Sequence, residues 1–268
     1  MRGILSVEFR FHWGFWARVP IFSARQPTMS LPPPTTLVGA LARGVAQLAR
    51  ARGVPVPEVI LRGGVYEVPL APDIAKCIAA VYYRVLEGVV TTAVDKTRYF
   101  QAPYIRGENL EDRSQWFGVR DLGKAYAPGV TAEAAFLIDA DCPLKPKELA
   151  VAAHSITRIG PAEGIVAVER VSFTPLEECK DGLNEREPCP YFPLRKDVEL
   201  PDPWAETEFL DWRDMRTWTS RRAEAEKVRY AVPVGAWAAS QPEFPHCATL
   251  RGRVNFKICR GRTYPYDY

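Results

Sequence analysis

Between Leu5 and Trp13 apolar and polar side chains alternate without a break: Leu5, Val7, Phe9, Phe11 and Trp13 against Ser6, Glu8, Arg10 and His12. A period of two marks a strand buried on one face, with the polar set turned to solvent. A loop bearing prolines and arginines, residues 18–34, then leads into Pro32-Pro33-Pro34-Thr35-Thr36. That run reads as a helix start with a threonine N-cap. Leu37, Leu41, Val45 and Leu48 form its buried stripe, Gly39 and Gly44 mark close backbone approaches, and Gly53 ends it after Arg50 and Arg52.

The rest of the chain continues in mixed fashion. Short strands are expected over 58–70, broken at Gly63-Gly64, and residues 75–87 read as helix or strand, with Val81–Leu86 favouring strand. Residues 88–128 have weak periodicity and read as an irregular insertion with a possible hairpin. Residues 131–138 form a strand, and 147–157 a helix burying Leu149, Ala152, Ala153 and Ile156. A strand over 165–173 places Ile165, Ala167, Val171 and Phe173 on one side. The order strand, helix, strands, strand, helix, strand is that of a split βαβ, ferredoxin-like α+β core over residues 1–175. Residues 176–268 are expected to be a largely irregular or β extension packing on that core. A helix is expected near 213–229 and strands over 228–234 and 253–259, and Trp204 and Trp212 read as exposed residues that would dock a partner.

Composition narrows the function classes. With 268 residues, 47% hydrophobic and 25% charged, the chain is globular rather than disordered. No apolar run approaches the roughly 18–20 residues of a membrane span, and the N-terminus lacks a signal-peptide pattern, so a cytoplasmic protein without membrane contact is expected. Net charge is only +3, but 26 of the 35 basic residues are Arg. Arg grips phosphate bidentately and stacks; scarce Asn and Gln and 24 Pro fit heat adaptation equally well. Residues 1–62 carry eight Arg against Glu8 and Glu58, whereas 176–230 carry 14 acids against 10 bases. One part suits an anion and the other solvent or protein.

No phosphate loop, GxSxG or HExxH pattern occurs, and no CxxC pair among Cys77, Cys142, Cys179, Cys189, Cys247 and Cys259. Cys179 and Cys189 bracket a loop and could pair in a hyperthermophile; a Cys179/Cys189/His246/Cys247 metal set is conceivable, and ordinary thiols are the simpler reading. Neither a cofactor nor a metal is expected. A metal-free ribonuclease would need one acid and one base, for which His12 and His154 are candidates against a structural role. The stretch Asp95–Gly107 interleaves Lys96, Arg98 and Arg106 with Tyr99, Phe100 and Tyr104, and Trp116, Phe117, Arg120, Lys124 and Tyr126 continue it. Single-stranded RNA binding uses this mixture, cations for phosphates and flat rings for unstacked bases. A satellite core under a hairpin would use it too.

Two segments carry a family resemblance. Pro20-Ile21-Phe22-Ser23-Ala24-Arg25, followed by Leu31-Pro32-Pro33-Pro34-Thr35-Thr36-Leu37-Val38-Gly39-Ala40-Leu41-Ala42, resembles the N-terminal signature of the Cas-five family of CRISPR-associated proteins, in the RAMP superfamily. Ile156-Thr157-Arg158-Ile159-Gly160, with Val166-Ala167-Val168, resembles a later turn of archaeal type I-A members. The resemblance implies a ferredoxin-like (RRM-type) RAMP core with an inserted β-hairpin thumb, within 88–128. It implies a non-catalytic subunit of a Cascade surveillance complex that caps the 5′ handle of CRISPR RNA. Such a subunit docks to the Cas-seven backbone and the large subunit, and meets target DNA only indirectly. Carried over by motif, the RNA-facing residues would be Arg18, Ser23, Arg25, Gln26, Thr35, Thr36, Gly39, Arg158 and Gly160; Lys96, Arg98, Tyr99, Phe100 and Arg106 are placed by region. One branch of the family cuts precursor RNA with a Tyr–Lys–His set. Here His12, His154 and His246 are followed by Trp13, Ser155 and Cys247, which departs from that pattern. Gly252 and Gly261 only loosely echo the superfamily's late glycine-rich loop.

Overall fold

A computed structural model describes the chain except residues 18–24, 27, 57–59, 63–64, 68–69, 101–115, 161–162, 186, 196–197, 220, 235–245 and 267–268. The alternating segment is β1 (Gly3–Phe11), and Leu5, Val7, Phe9 and Phe11 enter the main core. Its second face is not solvated throughout as expected. Ile4 and Ser6 are buried, and only towards the far end does Arg10 reach solvent. Trp13 lies beyond the strand, ahead of β2 (Gly14–Phe15) and β3 (Arg25–Gln26).

The proline run leads into α1 (Pro34–Ala51), but its N-cap is Pro33 and no side chain caps it. Proline fixes φ near the helical value and has no N–H to lose at the first helical position, so the helix starts one residue before the expected threonine cap. Leu37, Leu41 and Val45 are buried, and Gly53 at φ 76° terminates the chain's longest helix. β4 (Ile60–Arg62) and β5 (Val65–Glu67) pair antiparallel, while Gly63-Gly64 lies outside the described residues. The ambiguous segment then divides: α2 (Ala71–Lys76) is followed by β6 (Ile78–Glu87), where the β-branched and aromatic run falls.

β7 (Thr91–Phe100) and β8 (Phe117–Tyr126) pair antiparallel from Thr91↔Tyr126 to Phe100↔Phe117, which makes this region far more regular than its sequence suggests. β9 (Thr131–Ile138), α3 (Pro146–His154) and β10 (Val166–Pro175) complete a four-stranded antiparallel sheet in the order β10-β1-β9-β6. α1 and α3 cross on one face so closely that a Cβ built on Gly44 would lie 2.1 Å from the Ala152 carbonyl oxygen. At Gly39 it would sit 3.6 Å from the Trp218 ring, an ordinary contact, so no backbone approach requires that glycine. β10 departs from the expected facing. The register steps from Glu8↔Arg170 to Phe9↔Val168, a bulge at Glu169 that reverses the phase. Val168, Val171 and Phe173 therefore pack against the core, and Ile165 and Ala167 do not.

The remaining chain builds two small antiparallel sheets. β11 (Lys180–Asp181), β15 (Phe256–Cys259) and β16 (Arg262–Pro265) form one; β12 (Phe192–Pro193), β14 (Lys227–Pro233) and β13 (Trp204–Leu210) form the other. Gly261 turns β15 into β16, an ordinary hairpin turn. No helix spans 213–229: the Asp214 carboxylate accepts from Arg216 N and Glu226 N and closes a short 3₁₀ turn over Met215–Trp218. The second of these continues the central sheet past β6 through the Tyr83–Tyr191 bridge, and the first lies on that sheet's second face. Ile4, Ala80, Tyr82, Ala135 and Leu137 pack there with Phe192, Trp204 and Tyr264. Trp204 and Trp212 are buried, contrary to the expectation of a docking surface, and the Trp212 indole donates to Ile78 O at 3.1 Å.

The cysteines pair as Cys77–Cys142, Cys179–Cys259 and Cys189–Cys247. Cys179 and Cys189 are thus not partners, and the conceivable cysteine–histidine metal set has no free thiolate. Among the described residues no helix is long and apolar enough to cross a membrane.

Candidate nucleic-acid interface

Residues 11–17, at and beyond the end of β1, gather chain from three distant places. His12 N donates to Ile165 O (3.1 Å), Ala127 N to Trp13 O (2.7 Å) and Met29 N to Ala17 O (2.9 Å). The turn after α3, the base of the β7–β8 hairpin and the loop before α1 are thereby fixed side by side.

Two of the residues singled out by motif meet there. Gly160, exposed at φ 83°, would place a Cβ 3.2 Å from Trp16 O and 3.7 Å from Thr36 Cγ2, so the later turn rests on the first turn of α1. Thr35 and Thr36 are half-buried; Arg158 is half-buried in a bridge with Ile165. Gly39 instead lies beside Trp218. Arg25 and Gln26, as β3, run parallel to β8 opposite Asp121 and Leu122, and Lys96 of β7 stands opposite Asp121 from the other side. The backbones of Arg25, Asp121 and Lys96 therefore stand abreast across three strands, with Lys96 exposed. Arg98, Tyr99 and Phe100 follow along β7, opposite Val119, Gly118 and Phe117. Arg18, Ser23 and Arg106 lie outside the described residues.

The hairpin base adds a group that sequence reading did not assemble. Lys124 Nζ lies 3.1 Å from Asp95 Oδ2 and 5.7 Å from the centre of the Trp13 ring, the Tyr126 hydroxyl donates to Asp95 at 2.7 Å, and the Trp13 and Tyr126 rings are 5.9 Å apart. Hydrogen bonds from Tyr126 and Lys124 hold the Asp95 carboxyl below its ordinary range, and Asp95 in turn raises the Lys124 ammonium. Both stay charged at neutral pH. Two half-buried rings and a cation are suited to an aromatic base and its phosphate. Lys124 and Tyr126, two apart on a strand, were the visible signal; the facing Asp95 needed the hairpin register.

Electrostatics at the start of α1 favour an anion. Its first turn has no acid and no side-chain cap, which leaves the positive end of the helix dipole without a carboxylate. The histidines are dispersed: His12 is exposed just past β1, and His154 is exposed in the last turn of α3. No cluster of three or more His, Cys, Asp or Glu suited to a metal occurs among the described residues.

No family model matches the chain. The CRISPR system aCascade subunit Cas5 1 of Saccharolobus solfataricus is 30% identical over 244 residues, covering 89% of this chain and 90% of the relative. The chain belongs to the Cas5 family. CRISPR-associated protein Cas5 3 of the same organism is 28% identical over the same shares of both chains. A solved CRISPR protein from Archaeoglobus fulgidus covers both chains completely at a TM-score of 0.55 and 21% identity, a likeness of fold. The Cas5 membership agrees with the resemblance carried by Pro20–Arg25 and Leu31–Ala42.

Proposed function

We propose that this Cas5 protein is a non-catalytic, CRISPR RNA-binding subunit of an archaeal Cascade surveillance complex of type I-A. In this reading it caps the repeat-derived 5′ handle and docks to the backbone and large subunits, meeting target DNA only through the complex. The single observation that carries the reading is the 30% identity to an aCascade subunit along almost the whole length of both chains. Geometry supports it. The central sheet, numbered by its own strands, has the order 4-1-3-2 with helices after the first and third, the arrangement of a ferredoxin-like core. In this reading the β7–β8 hairpin, inserted between β6 and β9, serves as the thumb. Beside it the start of α1, Gly160 and the Trp13–Lys124–Tyr126 group offer an anion site and aromatic rings on one side of the molecule.

The test is a mixture of purified protein, end-labelled repeat RNA and EDTA, resolved on native and denaturing gels. A shift that weakens steeply with salt, with the RNA intact, is expected. A discrete metal-free cut would replace this reading with a ribonuclease using His12 or His154. An absent shift, with the protein also failing to join backbone subunits on RNA, would overturn it.

A further inference from the structure

The start of α1 is held by a residue 159 positions further along the chain. The Tyr191 hydroxyl donates to Pro32 O at 2.8 Å, entirely out of solvent, in the residues that set the angle at which α1 begins. Tyr191 is itself fixed from three directions. Its backbone N donates to Tyr83 O at 2.9 Å, its ring touches those of Tyr83, Phe209 and Tyr230, and two residues away Cys189 is bonded to Cys247. On the α1 side, Thr36 N and Leu37 N both donate to Pro33 O, one residue beyond the carbonyl that Tyr191 grips.

We propose that Tyr191 is a positioning residue for the RNA-facing start of α1, and that the Cys189–Cys247 disulfide keeps it in place. The proposal rests on the function proposed above for what is bound there, but not for the mechanical link. Burial raises the Tyr191 hydroxyl well above its ordinary value, so it remains a donor throughout the physiological range. A fixed Pro32 carries the positive helix end and Thr36 to a fixed distance from Gly160. A freed one lets the first turn fray and costs binding through lost preorganisation.

The test compares full-length variants by amide hydrogen exchange and by repeat-RNA affinity. Tyr191→Phe removes only the hydroxyl; Tyr230→Phe is its control, since the Tyr230 hydroxyl bonds to Val81 O in the central sheet. Cys189→Ala with Cys247→Ala is matched by Cys77→Ala with Cys142→Ala, which opens a disulfide of similar sequence separation, 65 against 58 residues. Tyr191→Phe and the 189/247 pair should speed exchange at Thr36 and Leu37 and weaken RNA binding several-fold, while both controls leave these two readouts unchanged. Unchanged exchange at Thr36 and Leu37 in Tyr191→Phe, or an equal effect of Tyr230→Phe, overturns the proposal. If the unaltered protein neither binds RNA nor joins backbone subunits on it, the functional reading fails while the exchange comparison still decides the role of Tyr191.

Discussion

Arg84 and Glu133 face each other across β6 and β9, and Arg84 Nε donates to Glu133 Oε2 over 2.6 Å with neither side chain reaching solvent. Ser6 and Tyr264 hydroxyls donate to the same carboxylate, and Arg84 also reaches the carbonyls of Pro188 and Thr263. One buried pair therefore joins the central sheet to both ends of the C-terminal region.

Removing one member strands the other. Arg84→Met should cost about 3–5 kcal/mol in urea unfolding, and adding Glu133→Leu should recover part of that loss, because it removes the stranded charge but leaves the Ser6 and Tyr264 hydroxyls without their acceptor. A double variant as unstable as the single one would contradict this account.

Acid should reveal the same pair. Burial alone would raise the Glu133 carboxyl, but Arg84 and Arg262, with the Ser6 and Tyr264 hydrogen bonds, bring it below its ordinary 4.5. A lowered folded-state value adds stability that is full above the unfolded-state value and is lost as pH falls through the folded one. The stability gap between the unaltered protein and Glu133→Gln should therefore be widest near neutrality and narrow below about pH 4.5.

Two glycines of one helix should respond oppositely. Gly44→Ala drives a methyl into the Ala152 carbonyl and should lower stability by about 1–3 kcal/mol. Gly39→Ala meets only ordinary contact and should raise it by about 0.5–1 kcal/mol through helix propensity. Thermal unfolding of both variants measures the contrast.

Disulfide connectivity can be read by peptide mapping without reductant. Cys179 should be found linked to Cys259, and Cys189 to Cys247. Reduction should then lower the melting temperature, at about 2–4 kcal/mol for each bridge opened.

Arg25→Ala tests the loop that runs along β8. Repeat-RNA affinity should fall, and the slope of log affinity against log salt should become shallower by about 0.7 for one lost phosphate contact. An unchanged slope would remove Arg25 from the interface.

How legible the chain was depends on the distance over which each signal acts. The alternation of Leu5–Phe11 and the run from Pro32 to Gly53 are local, and both elements stand where they were read. The α1 cap shifted because proline geometry outranked a threonine side chain. One bulged residue, Glu169, was enough to turn Ile165 and Ala167 away from the core. In the C-terminal region the strands expected over 228–234 and 253–259 match β14 and β15, whereas the burial of the tryptophans has a different origin. Trp212 is buried by Ile78, 134 residues earlier, and Tyr191 bonds to Pro32 across 159 residues, so no local pattern announces either contact. Six cysteines likewise allow about 15 pairings that spacing cannot choose among. At the interface, Thr36 and Gly160 were named from separate motifs, but the Trp13–Lys124–Asp95 group exists only once β7 and β8 are in register.

With helices against one broad side of the central sheet and the chain's last strands sealing the other, that sheet offers no open table of strands on which bases could be laid flat. Tyr82 and Tyr264, which could have served as such a table, spend their rings on each other at 5.4 Å. In the proposed role, binding falls at a corner, where β1 runs out and the hairpin rises. A corner gives purchase on a terminus or a sharp bend, and little on a long uniform thread.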